Sequence, residues 1–267
     1  QKRDKSLEMA LYGLSRNPRK AAWNRLAFYN LTDMERTAEA LKYADALFNA
    51  SDSSKFTGFD YTYYGTALKN DKQYEKAIEM FNKAMEENKG NDELVNSNRK
   101  ALSDLYLAKE DFDKATAYYE EYLNHASKTT ASDMAGLATI YMNLAAKQTG
   151  EQQKASFKKA DNVYARLGEK FPANLDFANF MRARINSNLD PETKEGLAKP
   201  FYEAIVNSLA NKTDRDKADN ARLTEAYRYL GYYYLVKNDK AMADGYWKKV
   251  LEIDPENETA KQALGVK

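Results

Sequence analysis

The chain has 267 residues, with 41 basic and 40 acidic side chains, one histidine and no cysteine. Balanced, interspersed charge offers no electrostatic footprint for nucleic acid or an acidic membrane, and the absence of cysteine excludes disulfides, thiolate metal sites and cysteine nucleophiles. No apolar run reaches the roughly 18 residues that suggest a membrane-spanning helix, while few prolines and glycines among abundant Ala, Leu, Glu and Lys favour helix throughout.

In chain order, small and large residues recur at helical spacing. Ser6, Ala10, Gly13 and Pro18 mark a helix with no partner helix before it, so the pattern begins inside a repeat and implies residues upstream of Gln1. Trp23, Leu26 and Ala27 then pair with Ala40, Ala44 and Leu47 across a turn that reads as one residue longer than the next. The next copy is clear: Tyr61, Tyr64, Gly65 and Leu68, followed by Ala77, Phe81 and Ala84. Leu102, Ser103 and Tyr106 with Ala115, Tyr119 and Tyr122 keep the same small-to-small spacing. Leu137, Ala138 and Tyr141 pair with Ala160, Tyr164, Leu167 and Pro172 across an insertion at 145–156.

The copy built on Ala183, Ala198, Tyr202 and Ile205 is the loosest. Arg182 and Asn186 stand where apolar and aromatic residues are expected, and Pro200 predicts a second helix that starts late or kinks. Residues 213–223 read as a polar spacer or a lengthened start to the next helix. Tyr227, Leu230, Gly231 and Tyr234 then meet Ala243, Trp247 and Val250, and Pro255 ends the pair. Ala260, Ala263 and Leu264 share one face of a short terminal helix.

This pattern resembles the tetratricopeptide repeat, W-x2-L-G-x2-Y, then A-x3-F, then P, with a period near 34 residues. The resemblance implies an all-α, right-handed superhelical solenoid of antiparallel helix pairs, in which neighbouring pairs share a core. It divides 1–267 into a single array: a half repeat at 1–19, repeats at 21–54, 58–91, 96–129, 131–174, 176–212 and 224–257, and a cap at 258–267. Gly65 and Gly231 become the small residues at which paired helices approach, and most tyrosines become core.

Catalytic constellations are missing. His125 reads as a surface histidine near a helix end, and there is no HExxH, EF-hand loop or Gly-rich phosphate cradle. Adjacent acids such as Glu120-Glu121 and Glu86-Glu87 point in different directions on a helix and have lysines nearby, as solvated faces do. The expectation is therefore a protein without enzymatic activity or cofactor.

Binding is the expected work. In the family the first helices line a concave groove, and residues one and four after the small position, or three and six before it, share that stripe. Applied here, the stripe carries Phe28; Phe59, Thr62, Thr66 and Lys69; and Ser97, Lys100 and Asp104. It continues with Ser132, Ala135, Thr139 and Met142; Phe177, Phe180, Arg184 and Ser187; and Glu225, Arg228, Tyr232 and Leu235. Aromatic anchors with Lys100, Arg184 and Arg228 suit a protein or peptide segment bearing carboxylates. The spacing of Lys and Asn that would grip a chaperone tail is not present.

Two alternatives come from other classes: a glycan-binding protein of a bacterial envelope, and an all-α glycoside hydrolase with two carboxylates about 5 to 9.5 Å apart. Abundant Lys, Asn and Tyr without cysteine is compatible with a bacterial protein, exported or cytoplasmic.

Overall fold

A computed structural model describes residues 2–53 and 55–266. Gln1, Ser54 and Lys267, which bound the half repeat, the first full repeat and the cap in the division into repeats, lie outside the described residues. All regular secondary structure among the described residues is helical, and the chain divides into two compact units, Gln1–Lys128 and Thr129–Lys267.

The first unit holds α1 (Lys2–Arg16), α2 (Ala21–Asp33), α3 (Thr37–Asp45, continued by a π-helical turn Ala46–Ala50), α4 (Gly58–Asn70), α5 (Tyr74–Glu87), α6 (Asp92–Ala108) and α7 (Phe112–His125). The second holds α8 (Ala131–Lys147), α9 (Gly150–Lys170), a 3-10 turn Pro172–Asn174, α10 (Leu175–Leu189), α11 (Lys199–Leu209), α12 (Lys217–Val236), α13 (Lys240–Ile253) and α14 (Glu258–Leu264). Within each unit, consecutive helices pack as hairpins and successive hairpins stack.

Local chemistry sets the helix ends. Capping boxes, in which a side chain at the helix start and one three residues on satisfy each other's backbone N–H, open α4 (Thr57, Asp60), α8 (Thr130, Asp133) and α12 (Asp216, Asp219). Four hairpins turn alike: Glu35, Lys72, Glu110 and Asn238 take positive φ between 57° and 61°. The following amide then reaches back to the helix, as Gln73 N does to Leu68 O and Asp239 N to Tyr234 O, which closes the helix with a left-handed residue.

Those turns fix the register. Each positive-φ residue stands seven places after the position that faces the partner helix: Gly65, Ser103 and Gly231 for Lys72, Glu110 and Asn238. Counting back from Glu35 gives Phe28 rather than Ala27. The first hairpin therefore has no lengthened turn. It has a large residue at the small position, fully buried in one cluster with Ala40, Ala44 and Leu47.

Its partner position is reduced in compensation. Gly65 faces Phe81 and Gly231 faces Trp247, each sixteen places later, whereas Phe28 is followed at that offset by Ala44. Large and small have changed places. In the third hairpin Ser103 fills the position, and its hydroxyl donates to Ala115 O at 2.7 Å.

The irregular copies also resolve. The insertion at 145–156 is not a loop: α8 and α9 lengthen to 17 and 21 residues and only Gln148 and Thr149 separate them. Pro200 sits in the first turn of α11, where its missing N–H costs nothing. Residues 217–223 belong to α12, so the polar stretch is mainly helix. Arg182 and Asn186 are polar because α9 supplies Asp161 opposite them. Arg182 grips it at 3.0 and 3.1 Å, Asn186 donates at 2.8 Å, and the guanidinium also lies 4.3 Å from the Phe201 ring centre.

Candidate functional site

Phe28 is a correction to the expected stripe. It is completely buried, with the rings of Tyr29, Tyr63 and Tyr64 around it at 5.6 to 6.3 Å. The register explains this, because Phe28 faces its partner helix and the neighbouring stripe of α2 passes through Arg25, Tyr29 and Thr32.

Arg25 and Tyr29 are spent on structure. The Asp60 carboxylate, buried at the start of α4, accepts from Arg25 Nε at 2.6 Å and Nη2 at 2.9 Å, from Tyr29 OH at 2.9 Å, and from the Thr57 amide and hydroxyl at 2.8 and 3.0 Å. Burial pushes that carboxyl up, but Arg25, the Thr57 amide and the Tyr29 hydroxyl outweigh it and hold it below the usual range. Burial beside this carboxylate also pushes the Tyr29 phenol far up.

Elsewhere in the first unit, α4 and α6 expose part of the expected stripe. Phe59 is 49% exposed. The Thr62 hydroxyl lies 3.0 Å from both Gly58 O and Asn98 Oδ1, and Thr66 donates to Thr62 O at 2.9 Å, so neither hydroxyl is idle. Lys69, Lys100 and Asp104 form one charged group. Asp104 is exposed, yet the protein around it pushes its carboxyl up, with Lys69 and Lys100 pulling it partly back. Lys100 also lies 4.8 Å from the Tyr122 ring centre.

In the second unit, Thr139 is exposed on α8 and donates to Ala135 O at 2.9 Å. Phe177 is half-buried, edge-on to Tyr164 at 5.8 Å. Phe180 lies between Arg184 and Arg222, whose guanidinium carbons are 4.4 and 5.7 Å from its ring centre. Arg184 crosses to α12 and pairs with Glu225 through two bonds of 2.8 and 2.6 Å, and Tyr202 OH donates to the same carboxylate at 3.0 Å. Burial, and then the Glu225 charge, push the Tyr202 phenol far up.

Beside that pair, α11 to α14 border an open hollow of about 390 Å³ lined by Tyr202, Glu225, Arg228, Tyr229, Tyr232, Trp247 and Thr259. Tyr202 and Trp247 are buried in its floor, and Arg228 and Tyr232 are exposed at its rim. The expected stripe contains Arg228, Tyr232 and Glu225. It does not contain Tyr202, Tyr229, Trp247 and Thr259, because a stripe drawn by helical period around one small position of each first helix omits the other faces, the second helices and the cap. Burial pushes the Tyr229 phenol up to about 12.

His125 is exposed in the last turn of α7, its Nδ1 2.8 Å from Glu121 O. Among the described residues no cluster of three or more His, Cys, Asp or Glu side chains is placed to hold a metal, and no helix is long and apolar enough to cross a membrane.

No family model matches the chain, and no curated protein matches its sequence. Solved structures do. The C-terminal part of a TPR repeat-containing protein from Cytophaga hutchinsonii superposes with a TM-score of 0.74 at 24% identity, covering 98% of this chain and 95% of that one. A chain of the Naa15/Naa10 structure bound to HypK-THB superposes with a TM-score of 0.60 at 15% identity, covering 99% of this chain and 36% of its own length. With the helical hairpins and their shared turns, these likenesses show that the chain has the tetratricopeptide-repeat fold.

Proposed function

We propose that the chain is a non-enzymatic interaction scaffold whose first-helix face receives a segment of a partner protein, with 1–267 acting as one array of repeats. The observation that carries this reading is the exposed first-helix surface of α12, where Arg228 and Tyr232 border a hollow instead of packing into the core. Phe59, Lys69, Lys100 and Asp104 give the first unit a surface of the same mixed kind. Proteins of this fold have been found in assemblies, as the Naa15/Naa10 structure bound to HypK-THB illustrates.

Sugar stacking requires bare ring faces. In the hollow Trp247 packs against Gly231 and Tyr202 lies 4.7 Å from Tyr229, which leaves Tyr232 as its exposed ring.

The test is selection of displayed peptides on the full chain, followed by titration against a variant with alanine at Phe59, Lys100, Arg228 and Tyr232. Selected peptides should lose most of their affinity for that variant. Failure to select any peptide, or equal affinity for both proteins, refutes the reading.

A further inference from the structure

The charges around the second-unit hollow are unequally satisfied. Glu225 is held by two bonds from Arg184 and one from Tyr202, so its charge is already answered. Arg228, one turn along α12, makes no hydrogen bond or ion pair with any described residue and is exposed. The hollow therefore presents one uncompensated guanidinium over an aromatic floor. An anion is the complementary ligand, and a carboxylate can take two parallel bonds from arginine.

Size and spacing narrow the ligand further. A volume of about 390 Å³ lies at the small end of ligand-sized sites, which suits one or two side chains and not a docked helix. Arg228 and Tyr232 are four residues apart on one helix, so their Cβ atoms lie about 5–6 Å apart. In an extended peptide, side chains on one face recur about every 6.6 Å, that is, every second residue. An acid and a ring two positions apart would reach both anchors.

Resting on the scaffold reading, we propose that this hollow recognises an internal, extended peptide segment in which an aspartate or glutamate lies two residues from an aromatic or large aliphatic side chain. The carboxylate pairs with Arg228, and the apolar side chain lies against the exposed ring of Tyr232. Glu225, already neutralised by Arg184, repels the acid little.

The experiment uses the full chain and a display library of twelve-residue peptides with fixed flanks at both ends, so that no free terminal carboxylate is presented. The selected pool should be enriched in an acid two positions from a ring or large aliphatic residue. Synthetic capped peptides from it should bind Arg228→Gln about tenfold or more weakly. Replacing their acid by lysine should abolish binding to the parent and restore it to Arg228→Glu.

Peptides that bind parent and Arg228→Gln equally, but lose affinity on Phe59→Ala or Lys100→Ala, would overturn this assignment and leave the scaffold reading standing. A pool without acid enrichment, or one that needs a free carboxyl terminus when uncapped versions are tested, would overturn it too. No selection at all would overturn both. Because Arg228 is exposed, circular dichroism should report unchanged helix content in its variants.

Discussion

Trp247 lies so close over Gly231 that a Cβ at residue 231 would come within 2.7 Å of its indole. The contact joins α12 to α13 and leaves no room for even a methyl group. Gly231→Ala should therefore destabilise the second unit by about 1–3 kcal/mol, the cost of overpacking, despite the better helix propensity of alanine. Gly245, on α13, has open space where a methyl group would stand, with nothing within 4 Å, so Gly245→Ala should stabilise by about 0.5–1 kcal/mol. Urea unfolding of the two variants checks the opposite signs.

Phe28 fills space and does not bind. Phe28→Ala should cost about 3–5 kcal/mol through the cavity it leaves. Exchanging sizes, with Phe28→Ala and Ala44→Phe together, should recover part of that loss. Thermal and urea denaturation of single and double variants give the coupling. Recovery of nothing would show that the two positions do not share one volume.

Asp60 makes the first unit sensitive to acid. Its carboxyl titrates below the ordinary value in the folded chain, so its contribution is present above about pH 3.9 and is lost as pH falls through its lower folded value. Asp60→Asn should cost about 2–3 kcal/mol near neutral pH. That is less than the roughly 3–5 of a fully buried broken pair, because Arg25 keeps some contact with water. The deficit against the parent should shrink below about pH 4, which denaturant unfolding at several pH values will show.

Asp104 has the opposite sign. Its carboxyl is pushed up in the folded chain, so the stability it contributes is fully present below the unfolded value, about pH 3.9, and is lost as pH rises through the folded value. Asp104→Asn should match the parent in acid and melt higher than it at neutral pH. A melting temperature that tracks the parent at every pH would show that the Asp104 carboxyl is not pushed up in the folded chain.

Legibility in the sequence followed residue size. Gly65 and Gly231 marked close approaches because an added methyl group would crowd Phe81 at 3.0 Å and clash with Trp247 at 2.7 Å. The first copy misled by one place because Phe28 and Ala44 reverse that size code, and the positive φ of Glu35, invisible in a non-glycine residue, was needed to set the count. Arg182 and Asn186 looked like defects because their partner Asp161 is a long-range contact with α9. Helical period alone reached Arg228 and Tyr232. It could not reach the floor beneath them, because Tyr202, Trp247 and Thr259 come from three further helices.

The exchange of bulk between Phe28 and Ala44 also limits how such an array can be rearranged. Cutting the chain between two helices and joining a half of the first hairpin to a half of the second or the last would set ring against ring, or leave methyl facing glycine across a void. For the first hairpin only the whole pair, carrying its own lock and key, is an interchangeable part for duplication, deletion or grafting.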